Sequence, residues 1–281
     1  MFENVLVGVD GKPNARDAVA LARRLADRGG QLTLGHVHRG EMPSIELLDP
    51  ALAAAGVEVE LKSIVASHPG AGLHQQAERQ HADLLVVGSC SRGLFGRATL
   101  GDDTRDALNG APCAVAVAAR GYAETSTPIE TIGVAYDGSP ESAAALELAR
   151  ELAASSGANV KALEVVSIPS LAFTGIVPAA IGDSIEAMVE SAKARMNALA
   201  DVDGKAIYGL PGEELAAFSE QVDLLVVGSR GYGPVKRLVL GSTSNYLASH
   251  ARSSLLVLPR LAASQADGPE ARSGVGVGAE I

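Results

Sequence analysis

The stretch Gly228-Ser-Arg230-Gly231-Tyr-Gly233-Pro-Val-Lys236-Arg237-Leu-Val-Leu-Gly241-Ser242-Thr243-Ser244 has residue types and spacing suited to holding a phosphate. Glycines at 228 and 231 let the backbone approach a ligand without a Cβ in the way and can take positive φ, which turns successive N–H groups toward one point. Gly241-Ser242 is expected to open a helix with Ser242 as its N-cap. The free N–H groups and dipole of that helix favour an anion, and the Ser242 and Ser244 hydroxyls can donate to its oxygens. Arg230, Lys236 and Arg237 are candidate cations, more often a solvated face than phosphate ligands.

The same pattern occurs earlier in weaker form. Gly88-Ser-Cys90-Ser91-Arg92-Gly93-Leu-Phe-Gly96-Arg-Ala-Thr-Leu-Gly101-Asp102 has Ser91 where a second glycine is expected and Asp102 where Ser242 stands. A carboxylate at a helix N-terminus competes with phosphate for the same N–H groups. Unit charges about 4 Å apart repel by roughly 1 to 4 kcal/mol at effective dielectrics between 80 and 20, enough to weaken binding about tenfold or more. The second copy is therefore the expected site, and the first a weak binder, a site needing a metal beside Asp102 and Asp103, or a scaffold.

Two further acids, Asp10 and Asp137, follow apolar runs and precede glycine, a pairing that also serves plain turns. His36 and His38 lie two apart, but Glu164 replaces His36 in the repeat and no third ligand is near, so a metal site is not expected. No catalytic triad, no paired carboxylates and no G-x-G-x-x-G after the first strand are present, which disfavours a dehydrogenase. Cys90 and Cys113 form no zinc motif or disulfide framework, and a small apolar filler is the expected role of Cys90.

The elements that position these residues come twice. Val5-Leu-Val-Gly-Val-Asp10-Gly11 recurs as Ile132-Gly-Val-Ala-Tyr136-Asp137-Gly138, and Leu84-Leu-Val-Val-Gly88-Ser recurs as Leu224-Leu-Val-Val227-Gly228-Ser. The offset grows from 127 residues at Asp10/Asp137 to 140 at Gly88/Gly228, placing a net insertion of 13 in the second copy, expected within Ser167 to Ile185. Apolar runs alternating with helical stripes give strand, helix, strand, helix, strand, helix, strand in each copy. One stripe, Ala144, Leu148 and Leu152, starts behind Ser139-Pro140 and ends at Gly157; the other, Ala18, Leu21 and Leu25, starts behind Pro13 and closes at Gly29-Gly30. The fold class is α/β, two tandem doubly wound parallel sheets with a crevice beyond the carboxyl ends of the strands. The units are 1–120 and 129–260, joined by a linker over Gly121 to Thr127, with a tail at 261–281.

Composition narrows the rest. The 281 residues carry 33 acids against 23 Lys and Arg, a formal charge of −10, so general attraction to nucleic acid or an anionic membrane is not expected. With 3% aromatics and no Trp, stacking platforms for single strands are lacking. No membrane-length run and no secretion-type leader are read, so a cytoplasmic location is expected.

The four positions Gly228, Gly231, Gly241 and Ser242 match G-x2-G-x9-G-[ST], and with the repeat they make the chain resemble a tandem universal stress protein of the ATP-binding kind, over about residues 2 to 119 and 130 to 260. The resemblance implies a Rossmann-like, adenine nucleotide alpha hydrolase-like fold whose copies pack as a pseudo-dimer through Cys113 to Ala118 and Leu255 to Leu258. It implies ATP as ligand, with AMP, cyclic AMP and an accompanying Mg2+ left open. Asp137 would sit by the adenosine and Val165 line the adenine pocket, with Tyr136, Val227, Gly228, Arg230, Gly231, Gly241, Ser242, Thr243 and Ser244 completing the site. Asp10, Val37, Gly88 and Gly101 are the weaker first-copy counterparts. Nucleotide binding in a stress response is preferred to turnover. The alternatives are a slow ATPase or nucleotidyl transferase with Mg2+ held by Asp137, and an interaction module with an empty pocket; further dimerisation and a signalling partner stay open.

Overall fold

The computed structural model describes residues 1–40, 51, 59–89, 102–125, 128–168, 179–229 and 237–260. In the first half, β1 (Phe2–Gly8) leads to α1 (Asn14–Leu25), β2 (Ala26–His38), β3 (Glu60–Val65), α2 (Pro69–Arg79), β4 (Leu84–Gly88), α3 (Asp102–Leu108) and β5 (Ala114–Ala118). A single-turn α4 (Tyr122–Thr125) precedes the second half. There β6 (Thr131–Ala135) is followed by α5 (Pro140–Ser156), β7 (Asn159–Val166), α6 (Ala179–Asn197), β8 (Asp203–Tyr208), α7 (Pro211–Phe218), β9 (Leu224–Gly228), α8 (Ser242–His250) and β10 (Ser254–Leu258).

Among the described residues ten strands form one sheet, in the order β3-β2-β1-β4-β5-β10-β9-β6-β7-β8. Pairing is parallel within each half. The halves meet where β5 and β10 pair antiparallel, with Leu256 opposite Ala116, so the expected pseudo-dimer is one continuous sheet. Side chains of a strand alternate between faces, and the apolar runs feed two cores accordingly. Val5, Val7, Leu84, Val86, Leu224 and Val226 pack with α1, α5 and α6 on one face. Leu6, Leu85, Leu225 and Val227 pack with α2, α3, α7 and α8 on the other. Each fully buried leucine contributes roughly 1.5 to 3 kcal/mol.

Each half has five strands rather than four. The missed ones, β3 and β8, are the sheet's outer strands. Their sequences, Glu-Leu-Lys-Ser-Ile-Val and Asp-Gly-Lys-Ala-Ile-Tyr, bury only Ile64 and Ala206, so they lack the continuous apolar run of the central strands. The first helix is shorter than expected. It stops at Leu25, and Ala26 is already extended and paired with Phe2. Gly30 marks the register shift that follows: a Cβ there would lie 3.0 to 3.2 Å from the carbonyl oxygens of Glu3, Phe2 and Asp27. The glycine pair serves a strand irregularity, not a helix end.

In α5 the caps fall as expected. Ser139 Oγ accepts from Ser142 N–H at 3.2 Å, Pro140 opens the helix and Gly157 closes it at φ 78°. Its buried face, however, is Ala145, Ala149, Leu152 and Ala153, while Ala144 and Leu148 sit at the boundary, so the stripe is rotated by about one residue. The linker is tied down: Asp17 of α1 accepts from Gly121 N–H at 2.9 Å and Ala123 N–H at 2.8 Å, and α4 forms on that anchor. Most of the segment expected to hold the insertion, 169–178, lies outside the described residues, as does the 261–281 tail. Among the described residues no helix is long and apolar enough to cross a membrane.

Candidate functional site

The carboxyl ends of β6, β7 and β9 open into a cavity of about 730 Å3 in the second half. Of the residues expected there, Tyr136, Asp137, Val165, Val227, Gly228, Gly241, Thr243 and Ser244 line it together. Ser242 stands between Gly241 and Thr243 as the first residue of α8, exposed and not itself a lining residue. Arg230, Gly231, Lys236 and, in the first half, Gly101 lie outside the described residues.

The local geometry corrects three expectations. Gly241, not Ser242, is the N-cap of α8, in extended conformation at φ −74° and ψ 174°. Having no side chain it makes no side-chain cap, so among the described residues the start of α8, whose Gly241, Thr243 and Ser244 line the cavity, carries no capping side chain. Gly228 does not use positive φ. A Cβ there would lie 2.8 Å from the carbonyl oxygen and 2.9 Å from the carbonyl carbon and Cβ of Glu141, so glycine lets the first turn of α5 close onto the end of β9. Arg237 turns away from the cavity. It donates to Gly110 O at 3.0 Å and pairs with Glu78 at 2.6 Å, clamping the chain after the loop onto the first half beside Leu238 N–H to Ala111 O at 2.8 Å.

Asp137 serves a turn and the cavity at once. Its Oδ1 accepts from Ser139 N–H at 3.0 Å across Gly138, which sits at φ 77°, while the carboxylate lines the space above β6. Asp10 repeats the turn with Lys12 N–H at 3.1 Å, and there the Lys12 ammonium adds an ion pair at 2.7 Å.

Three lining residues, Glu164, Arg195 and Ser229, were missed by the motif. Glu164, buried on β7, pairs through Oε1 with Arg195 of α6, and its Oε2 has no hydrogen-bond partner among the described residues. Glu164's hydrogen bond, more than its charge, raises the Arg195 pKa above its ordinary range. The repeat comparison marked Glu164 as the replacement for His36, but Arg195, 31 residues away, belongs to no motif. Ser229 is the third: buried at the cavity wall, its hydroxyl has no partner among the described residues, while its N–H donates to Leu258 O at 2.9 Å.

Among the described residues of the first half the corresponding space is small. This counterpart, lined by Asp10, Val37, Gly88, Pro69, Leu73 and Thr104 among others, encloses about 80 Å3. Thr104 Oγ1 donates to Gly88 O at 3.2 Å, joining α3 to the end of β4. His36 Nδ1 is bonded to Val9 O at 2.8 Å and His38 to Gly40 O and Ser63, and among the described residues no cluster of His, Cys, Asp and Glu could hold a metal. Burial, joined by the Asp83 carboxylate and partly offset by a hydrogen bond from the Leu85 backbone, pushes the Cys113 thiol up to about 12, so it is unreactive at neutral pH. Cys90 lies outside the described residues.

Known proteins share this architecture. A universal stress protein of Mycobacterium tuberculosis is 30% identical over 183 residues, covering 63% of this chain and 61% of that protein. One of Thermus aquaticus is 31% identical over 135 residues, 46% of this chain and 98% of its own length. The chain thus aligns with 61% of the mycobacterial relative, less than two thirds of its length. Among solved structures, a universal stress protein from Archaeoglobus fulgidus superposes with a TM-score of 0.61 at 17% identity, over 92% of this chain and 98% of that one. A Pseudomonas aeruginosa structure gives 0.64 at 15% identity, over 92% and 93%; both likenesses establish the fold. The pattern of the Universal stress protein family matches residues 1–119 and again 128–259, and the chain belongs to that family as a tandem member.

Proposed function

We propose that the protein binds one adenine nucleotide, ATP in the first instance, in the cavity of its second half. The observation that carries this is the 730 Å3 space bounded on one side by Gly228 and the side-chain-free start of α8. Its volume falls within the roughly 300 to 1,000 Å3 of small-molecule sites. The chain has a formal charge of −10, so the phosphates are held locally, by N–H groups of Thr243 and Ser244, the Ser242 and Ser244 hydroxyls, and the Gly228 to Gly231 loop. Asp137 and Val165 face the nucleoside. Any Mg2+ arrives with the phosphates, since that ion needs only one or two protein carboxylates. The first half, with about 80 Å3, is scaffold.

Titration calorimetry with ATP and adenosine tests the reading. Ser242→Ala and Ser244→Ala each remove a hydrogen bond to a charged group and are expected to weaken ATP by about tenfold while leaving adenosine unchanged. Gly241→Val, which puts a branched side chain where the ligand approaches, abolishes ATP binding. Wild-type protein that shows no heat and no thermal shift with ATP, and a protein-only spectrum at 260 nm, refutes it.

A further inference from the structure

Resting on the nucleotide reading, we infer that Arg195 is a ligand-binding residue that contacts the nucleoside part of the nucleotide, not its phosphates, and that Glu164 is the residue positioning it. Arg195 is the cation among the described residues that line the cavity. It reaches in from α6, and its side chain is 48% exposed.

Its hold on the protein is one-sided. Nη1 donates to Ser191 Oγ at 3.1 Å and Nη2 to Glu164 Oε1, and the other guanidinium N–H groups have no partner among the described residues. A guanidinium carries five donors in a rigid plane, so donors remain for a ligand. Glu164 is 5% exposed, with its second oxygen unpartnered among the described residues. A buried carboxylate so placed needs the cation beside it, which fixes the guanidinium plane at the cavity wall.

Position assigns the ligand part. The uncapped start of α8 and Gly228 lie at the end of β9, and β6 separates β9 from β7, where Glu164 stands. Neighbouring strands are about 4.8 Å apart, so β9 and β7 stand roughly 10 Å apart within the sheet, and Glu164 and Arg195, on the α6 face, are reached from α8, on the other face, over the carboxyl edge of the strands. A nucleotide with its phosphates at α8 lays its nucleoside across β6 toward β7. Purine ring nitrogens and ribose oxygens accept hydrogen bonds, and the flat guanidinium also stacks on a heteroaromatic ring.

Calorimetric titration of adenosine, AMP and ATP into wild-type protein and Arg195→Gln tests this. A lost bond to a charged donor predicts about tenfold weaker binding, by the same factor for all three. Arg195→Lys keeps a cation beside Glu164, so the fold is retained, yet it lacks the planar fork and is expected to weaken adenosine in the same direction. Unchanged adenosine affinity in both variants overturns the inference. So does a loss that grows from adenosine to AMP to ATP, which makes Arg195 a phosphate contact. Wild-type protein that binds none of the three overturns the nucleotide reading and this one with it; ATP binding indifferent to Arg195 overturns this one alone.

Discussion

Gly228→Ala perturbs the point where fold and site share an atom. The new Cβ would stand 2.8 Å from Glu141 O and 2.9 Å from its carbonyl carbon and Cβ, where ordinary contacts begin near 3.4 Å. Two of the three atoms are backbone in the first turn of α5, so relief requires that turn to withdraw from β9 by about half an ångström. Overpacking of this kind costs about 1 to 3 kcal/mol. At 2 kcal/mol, Tm falls by roughly 4 to 8 °C. The same shift carries Ser139 and Ser142 outward with the cavity wall, so ATP affinity falls too. Gly88→Ala is the informative partner: its Cβ would overlap the carbonyl oxygen of Asn14 in the first half, so Tm falls at least as far while ATP affinity holds. Gly182→Ala in α6, where nothing lies within 4 Å, is the control and gains up to about 1 kcal/mol of helix propensity. Circular dichroism melts and ATP titrations read all three. A Gly228→Ala protein that melts and binds like wild type would refute the close-approach argument.

Other outcomes follow from the same geometry. Asp137→Asn keeps the acceptor for Ser139 N–H, so its melting point is expected within about 2 °C of wild type while ATP binds about tenfold more weakly; Asp137→Ala loses both, and equal ATP affinity in the Asn variant would reduce Asp137 to a turn former. Leu256→Ala, at the fully buried seam between the halves, is expected to cost about 2 to 5 kcal/mol and to lower one shared urea transition; two separate transitions in the variant would contradict a single cooperative sheet. The Cys113 thiol is raised on folding from 9.0 to about 12, so its contribution to stability is full below pH 9 and is lost as pH rises toward 12, at about 1.4 kcal/mol per unit. Urea unfolding above pH 9 should therefore be less steeply pH-dependent in Cys113→Ala, and identical slopes would count against the burial of the thiol.

How much of this was legible in the sequence depended on what each residue's signal encodes. The central strands could be read because residues such as Leu84 to Val87 are apolar on both faces, and the Ser139-Pro140 start and Gly157 stop of α5 are local in chain. The edge strands β3 and β8 escaped because an outer strand buries one or two side chains and shows no run. Gly29-Gly30 misled because glycine marks a helix end and a strand irregularity alike, and only the carbonyls of Phe2 and Glu3 tell them apart. In the site, the repeated Asp-Gly and the Gly241 spacing located the cavity. The roles of Gly228, Arg237 and Arg195 were not legible, since each depends on a partner distant in sequence: Glu141 across 87 residues, Glu78 across 159, and Glu164 across 31.

The most direct test of the central claim is the number of nucleotides bound per chain. Calorimetric titration of purified, nucleotide-stripped protein with ATP should give one site per 281-residue chain, abolished by Gly241→Val and unaffected by Gly88→Ala. A stoichiometry of two, or one site that survives Gly241→Val, would contradict the assignment of binding to the second half.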